Sequence, residues 1–256
     1  MEQDLVLSRL IVEIASHDLL GSELAFRGGT CLNKLHLPKP LRFSEDLDYV
    51  RRTRSGVGPF LDAIRDVATN VGLEEQSHDI AGQMVHTIFD AQPTSGEGQL
   101  RIRIEMNIRE VESFEHRVAL PYEVESPWWS GRAEVTTFTI EELMSTKFRA
   151  LYQRRKGRDL FDLWHVLFDL RPDPERIVNG LHHYMGDQVF TYRELAGNLS
   201  DKLNHPDFAE DLDALVQDVP TGYQLDEAAD LVMESLGSRL KNAPALEDIQ
   251  ESAWRN

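Results

Sequence analysis

Apolar residues recur along this chain with two different periods, and each change of period marks an element. Over residues 5–20 they fall at 5, 6, 10, 11, 14, 15 and 19, the spacing of one helix face, and Gly21 is the expected stop. Residues 24–26 form a short apolar run that reads as a strand. Gly28, Gly29 and Thr30 open a helix to about Leu37, which Pro38 and Pro40 end. Residues 42–50 read as a second strand, and Pro59 opens a helix that stops at Gly72. Residues 73–92 read as two short strands turning near Ala81 and Gly82, with a loop over 93–98. Residues 100–108 alternate most cleanly. Leu100, Ile102, Ile104, Met106 and Ile108 share one face, and Arg101, Arg103, Glu105 and Asn107 share the other.

Residues 133–138 are the last strand expected; beyond them the period is helical. Thr139 and Glu142 have the spacing of a capping box opening a helix to about Arg155, and the first residues of the helix after Gly157 include Arg158, Asp159 and Asp162. Short helices follow over 177–185, 191–203 (a second capping box, Thr191 and Glu194), 207–216, 225–240 and 246–254. The pattern predicts an α/β core over residues 1–138, built on a small twisted mixed sheet. A helical domain over 139–256 completes a cleft that would be the site.

The chemistry concentrates near the start. Two glycines let a backbone come close to a bulky anion, because no Cβ intervenes. A helix N-terminus offers free N–H groups to phosphate, and Thr30 adds a hydroxyl. On the strand that follows, Asp46 and Asp48 are two apart and share a face, while Leu47 and Tyr49 point to the core. Adjacent carboxylates repel unless a cation joins them, and Mg²⁺ shared with substrate phosphates is the usual resolution.

Composition narrows this picture. The 256 residues, 41% hydrophobic, suffice for one large domain or two small ones. No run of 18 apolar residues exists, so no membrane-spanning helix is expected, and the acidic first residues show no signal-peptide pattern. A lone cysteine, Cys31, reads as a packing residue, and the whole suits a cytoplasmic protein. The net charge of −17 argues against nucleic acid, but its distribution does not. Residues 27–54 hold seven Arg or Lys against three acids, and residues 145–158 hold six with no acid. A positive rim on an acidic body still steers a polyanion locally. Arg51, Arg52, Arg54, Arg154, Arg155 and Lys156 are the candidate contacts to such a polyanion, which the family resemblance given below implies to be RNA. His182 and His183 lack the partners of a metal site and read as surface or interhelix residues.

Phe26-Arg-Gly-Gly-Thr followed by Arg42-Phe-Ser-Glu-Asp-Leu-Asp48 resembles the DNA polymerase β-like nucleotidyltransferases, and more narrowly the AbiEii/AbiGii toxins of type IV toxin–antitoxin systems. Lys147 followed by Gly157-Arg-Asp-Leu-Phe-Asp-Leu163 is similar to the second motif of that family. The resemblance covers roughly residues 24–170. It implies metal-dependent transfer of a nucleotide from an NTP, with two Mg²⁺ (Mn²⁺ is an alternative) at Asp46 and Asp48. Gly28, Gly29, Thr30, Ser44, Lys147, Arg158 and Asp162 become nucleotide contacts, and Asp159 a catalytic partner of Lys147. Glu105 is the candidate third carboxylate; the other reading of it is a salt-bridged strand face beside Arg101 and Arg103. Asp159 and Asp162 can also be helix N-terminal carboxylates that cap free N–H groups. The implied acceptor is RNA, with the tRNA 3′ end closest to this wording, and the implied protein partner is an antitoxin acting on a monomer. The rivals are transfer to a small molecule of aminoglycoside type or to a protein, and an inactive fold used as a binding module or antitoxin.

Overall fold

The computed structural model describes residues 2–93, 96, 98–188, 190–216, 220 and 222–244. The chain divides into two compact units: Met1–Pro40 with Ser44–Thr139, and Leu41–Phe43 with Ile140–Asn256.

The first unit is built on a seven-stranded mixed sheet. Helices α1 (Glu2–Ser16) and α2 (Asp18–Glu23) precede β1 (Leu24–Arg27). The single helix expected over 5–20 is broken at His17, whose Nδ1 accepts from the backbone N–H groups of Leu19 and Leu20 and so caps a second helix. Gly21, expected as the stop, lies inside α2. The Gly-Gly helix is α3 (Gly28–Cys31), continued by a π-helical turn, Leu32–His36. Strand β2 is Asp46–Arg51, shorter than the expected 42–50, because Arg42 belongs to the other unit. Then come α4 (Gly58–Asn70), β3 (Glu74–Ala81), β4 (Met84–Ala91), β5 (Leu100–Asn107), β6 (Val118–Glu125) and β7 (Ser130–Thr137).

The strand order is β3-β4-β5-β2-β1-β7-β6. Strand β2 runs antiparallel to β1 and parallel to β5. Leu47, Tyr49, Ile102, Ile104 and Met106 are buried on one face, as the alternation predicts, and Phe26 stacks on Tyr49 at 5.1 Å. Ile108 lies past the end of β5. Leu7, Leu10, Ile11 and Ile14 line the buried stripe of α1, which packs against β5, β6 and β7. Lys34 on the π turn reaches Asp4 of α1 at 2.5 Å. Strand β6 is unexpected from sequence. Pro121 interrupts its alternation, and a proline is tolerated there because β6 is an edge strand.

The second unit is helical: α5 (Ile140–Gln153), α6 (Gly157–Asp169), α7 (Pro174–Met185), α8 (Tyr192–Leu203), α9 (Pro206–Glu210) and α10 (Leu225–Ser235). The Thr191–Glu194 capping box forms on both sides. The expected helix over 207–216 is short and gives way to turns, and that over 225–240 ends at Ser235 before a 3₁₀ turn at Gly237–Arg239. The expected helix over 246–254 lies outside the described residues. Gly157 has a packing reason: a Cβ there would sit 2.1 Å from the Phe208 carbonyl oxygen, where α6 meets α9. Among the described residues no helix is long and apolar enough to cross a membrane.

Candidate active site

In the first unit the site grows from one close approach. Gly28 has φ +82, and a Cβ there would lie 2.0 Å from Asp48 Oδ2 and 2.7 Å from its Cγ. Only glycine permits this backbone beside this carboxylate. The pairing Arg27↔Asp48 between β1 and β2 sets the approach. Asp46 and Asp48 are both half-buried, and their β2 neighbours Leu47 and Tyr49 lie inside.

Register completes this face. Across the parallel pair β2–β5, Asp48 is opposite Glu105 and Asp46 opposite Arg103, so the candidate third carboxylate stands on the rung of Asp48. Glu105 Oε1 is 3.1 Å from His86 Nδ1, its partner on β4, and 3.6 Å from Arg103 Nη1. His86 went unnoticed in the sequence; its rung position is fixed only by the β4–β5 register.

Thr30 does not serve as a free hydroxyl donor. It is fully buried, donates to the backbone oxygen of Asp46 at 2.6 Å and lies 2.9 Å from Ser44 Oγ. It therefore ties the Gly-Gly helix to the first residue of β2. Gly29 is buried too, and Ser44 half-buried. Cys31 is a packing residue as expected: burial pushes its thiol up to about 12, and Sγ sits 3.0 Å from Thr137 Oγ1.

The second unit carries a separate charged centre. Lys147 on α5 has its Nζ 2.7 Å from Asp162 Oδ2 and 3.3 Å from Asp159 Oδ1, both on α6. Arg42 grips Asp162 through Nε at 2.6 Å and Nη2 at 2.7 Å. Arg154 grips Asp159 in the same way, at 2.6 and 2.8 Å. Burial alone would raise the Asp162 carboxyl, but the charges of Arg42 and Lys147 outweigh it and hold it well below the usual carboxylate range. Burial likewise works against Asp159, and Lys147 and Arg154 overcome it. Arg42 lies 120 positions before Asp162, so no local pattern links them. The Phe43 N–H donates to the Leu215 oxygen at 2.7 Å, fixing this segment in the same unit.

The basic residues proposed for RNA separate into two groups. Arg51 is buried, 1% exposed; it lies over the Phe60 ring at 4.2 Å and donates to the Ser55 backbone and side chain. It is a packing residue rather than a surface contact, because burial leaves its guanidinium no face for a phosphate. Arg154 is half-exposed but committed to Asp159. Lys156 and Arg158 both pair with Asp211, at 3.1 and 3.7 Å. Arg52, Arg54 and Arg155 are exposed.

Among the described residues no group of three or more His, Cys, Asp or Glu side chains is placed to hold a metal. Asp46 and Asp48 still fit a hard cation that takes its remaining ligands from water and substrate phosphate, because both are oxygen donors on one strand face.

The family model described as nucleotidyl transferase AbiEii toxin, type IV TA system, matches residues 9–235. Comparison with curated proteins gives no match. Among solved structures, JHP933 from Helicobacter pylori is similar at 19% identity with a TM-score of 0.56, over 91% of this chain and 89% of that one. MenT4, a nucleotidyltransferase toxin from Mycobacterium tuberculosis, is similar at 18% identity with a TM-score of 0.56, over 99% of this chain and 86% of that one. At these identities the likeness is one of fold.

Proposed function

This chain belongs to the AbiEii nucleotidyltransferase toxins of type IV toxin–antitoxin systems, and on that premise we propose that it transfers NMP from an NTP to an RNA acceptor, the tRNA 3′ end. The family brings an NTP substrate and an antitoxin partner. The observation that carries the reading is the Asp46/Asp48 face of β2, pressed against Gly28 and in register with Glu105.

Asp46 and Asp48 would hold Mg²⁺, which when bound offsets charge on the α-phosphate and on the departing pyrophosphate. The acceptor hydroxyl attacks the α-phosphate in line. An O–P bond forms to the acceptor, the bond to the β-phosphate oxygen breaks, and pyrophosphate leaves. Glu105, steadied by His86, is the proposed acceptor of the hydroxyl proton. Thr30 and Ser44 position the start of β2. Lys147, with Asp159 and Asp162, is the proposed polyphosphate contact, and Arg158 a neighbouring one. Arg52, Arg54, Arg155 and Lys156 are the proposed RNA contacts. We take the functional division of the chain to fall at 138/139, and the protein to act as a cytoplasmic monomer.

Incubating the protein with each labelled NTP, Mg²⁺ and total RNA tests this reading. Label in tRNA, lost in Asp46→Asn and Asp48→Asn while both variants remain folded, is expected. Label absent from every RNA would overturn the acceptor assignment. A second reading, transfer to a small cationic acceptor, is favoured by the net charge of −17 and by the pairing of Arg154 and Lys156 with acids. It predicts labelled aminoglycoside and unlabelled RNA.

A further inference from the structure

Lys147 sits between two forks. Arg42 takes both oxygens of Asp162, Arg154 takes both oxygens of Asp159, and the ammonium lies between the two aspartates. The charge count decides what this centre can attract. Lys147 with its two carboxylates alone carries −1, which repels a phosphate. The two guanidiniums bring the five side chains to +1, and two further charges that act on them, Asp211 on Arg42 and the buried Lys202 on Asp159, offset each other. Bidentate arginines also fix each carboxylate in its plane, and the one oxygen that each aspartate offers the ammonium is shared with its arginine.

We propose that Arg42 and Arg154 are positioning residues that set the charge of the Lys147 centre, converting a lysine over-neutralised by its own aspartates into one that draws the polyphosphate of an NTP. This deepens the function proposed above and rests on its assignment of Lys147 to the NTP. The two arginines contribute unequally. The Arg42 side chain is 4% exposed and its field is little screened, whereas that of Arg154 is 52% exposed and water and salt weaken it.

The test is titration calorimetry of the full chain with a non-hydrolysable NTP analogue and Mg²⁺, at two salt concentrations. Arg42→Gln should weaken binding by about tenfold or more, the scale of one charge-assisted contact. Arg154→Gln should weaken it less, with the loss shrinking as salt rises. Arg42→Lys and Arg154→Lys keep the charge and lose the fork, so they should recover most of the affinity. If the lysine variants bind as poorly as the glutamine variants, the arginines are structural braces and the inference is overturned. If Lys147→Ala weakens binding while both glutamine variants bind as wild type, the inference alone falls. If Lys147→Ala binds as wild type, the assignment of Lys147 falls and takes the inference with it. Should Arg42→Gln fail to melt cooperatively, the more exposed Arg154 pair of variants decides the matter.

Discussion

Substituting alanine for Gly28 probes the tightest contact in the first unit. The backbone there has φ +82, and a left-handed conformation costs an L-residue with a Cβ about 1–2 kcal/mol. The new methyl would also fall 2.0 Å from Asp48 Oδ2, 2.7 Å from Cγ and 2.9 Å from Cβ. These distances are far inside van der Waals contact, and overpacking of this kind costs about 1–3 kcal/mol. Gly28→Ala should therefore destabilise the protein by about 2–5 kcal/mol in a urea titration. The Asp48 carboxylate must swing aside to make room, and a displacement near 1 Å at a reacting centre lowers turnover about a hundredfold. The two costs can be separated in a double-mutant cycle. With Asp48→Ala in the background, the 2.0 and 2.7 Å clashes vanish, while the 2.9 Å approach to Cβ and the backbone strain persist. The coupling energy between the two substitutions should then be on the order of 1–3 kcal/mol. Additivity within about 0.5 kcal/mol would refute the claim that Asp48 is what requires glycine at position 28.

Other outcomes follow from the same geometry. Thr30→Val removes the hydroxyl held by the Asp46 backbone oxygen, and should cost about 1 kcal/mol of stability by urea titration and lower turnover without changing NTP affinity. Asp162 has a folded-state pKa below its unfolded value, so its stabilisation is complete above about pH 4 and is lost as pH falls toward the folded value. Asp162→Asn should thus flatten the acid limb of a stability–pH curve, and at pH 7 cost about 3–5 kcal/mol by stranding Arg42 and Lys147. Arg51→Ala should destabilise the first unit by about 2 kcal/mol through its lost place over Phe60, yet leave RNA labelling per folded molecule unchanged. Gly157→Ala should lower the melting temperature, since its methyl meets the Phe208 oxygen at 2.1 Å.

What the sequence settled by itself was local. Alternation along residues 100–107 placed Ile102, Ile104 and Met106 inside, and the two-residue spacing put Asp46 and Asp48 on one face. The Gly-Gly-Thr helix opening and the Thr191–Glu194 box were equally legible, because each depends on residues within one turn or one strand. Tertiary structure decided what depends on register or on distant partners. That Glu105 stands opposite Asp48, with His86 beyond it, follows from how β2, β5 and β4 pair, which no single strand encodes. That Thr30 serves Asp46, that Arg51 is a core residue, and that Arg42 leaves the strand before Asp46 to hold Asp162 were all hidden for one reason. A polar side chain reads as surface in a sequence, and only its tertiary partner makes it interior: Asp46, 16 residues away, for Thr30, Asp162, 120 residues away, for Arg42, and the Phe60 ring for Arg51. Strand β6 was missed on the opposite ground: Pro121 breaks a local rule that an edge position relaxes, and whether a strand is an edge belongs to the sheet.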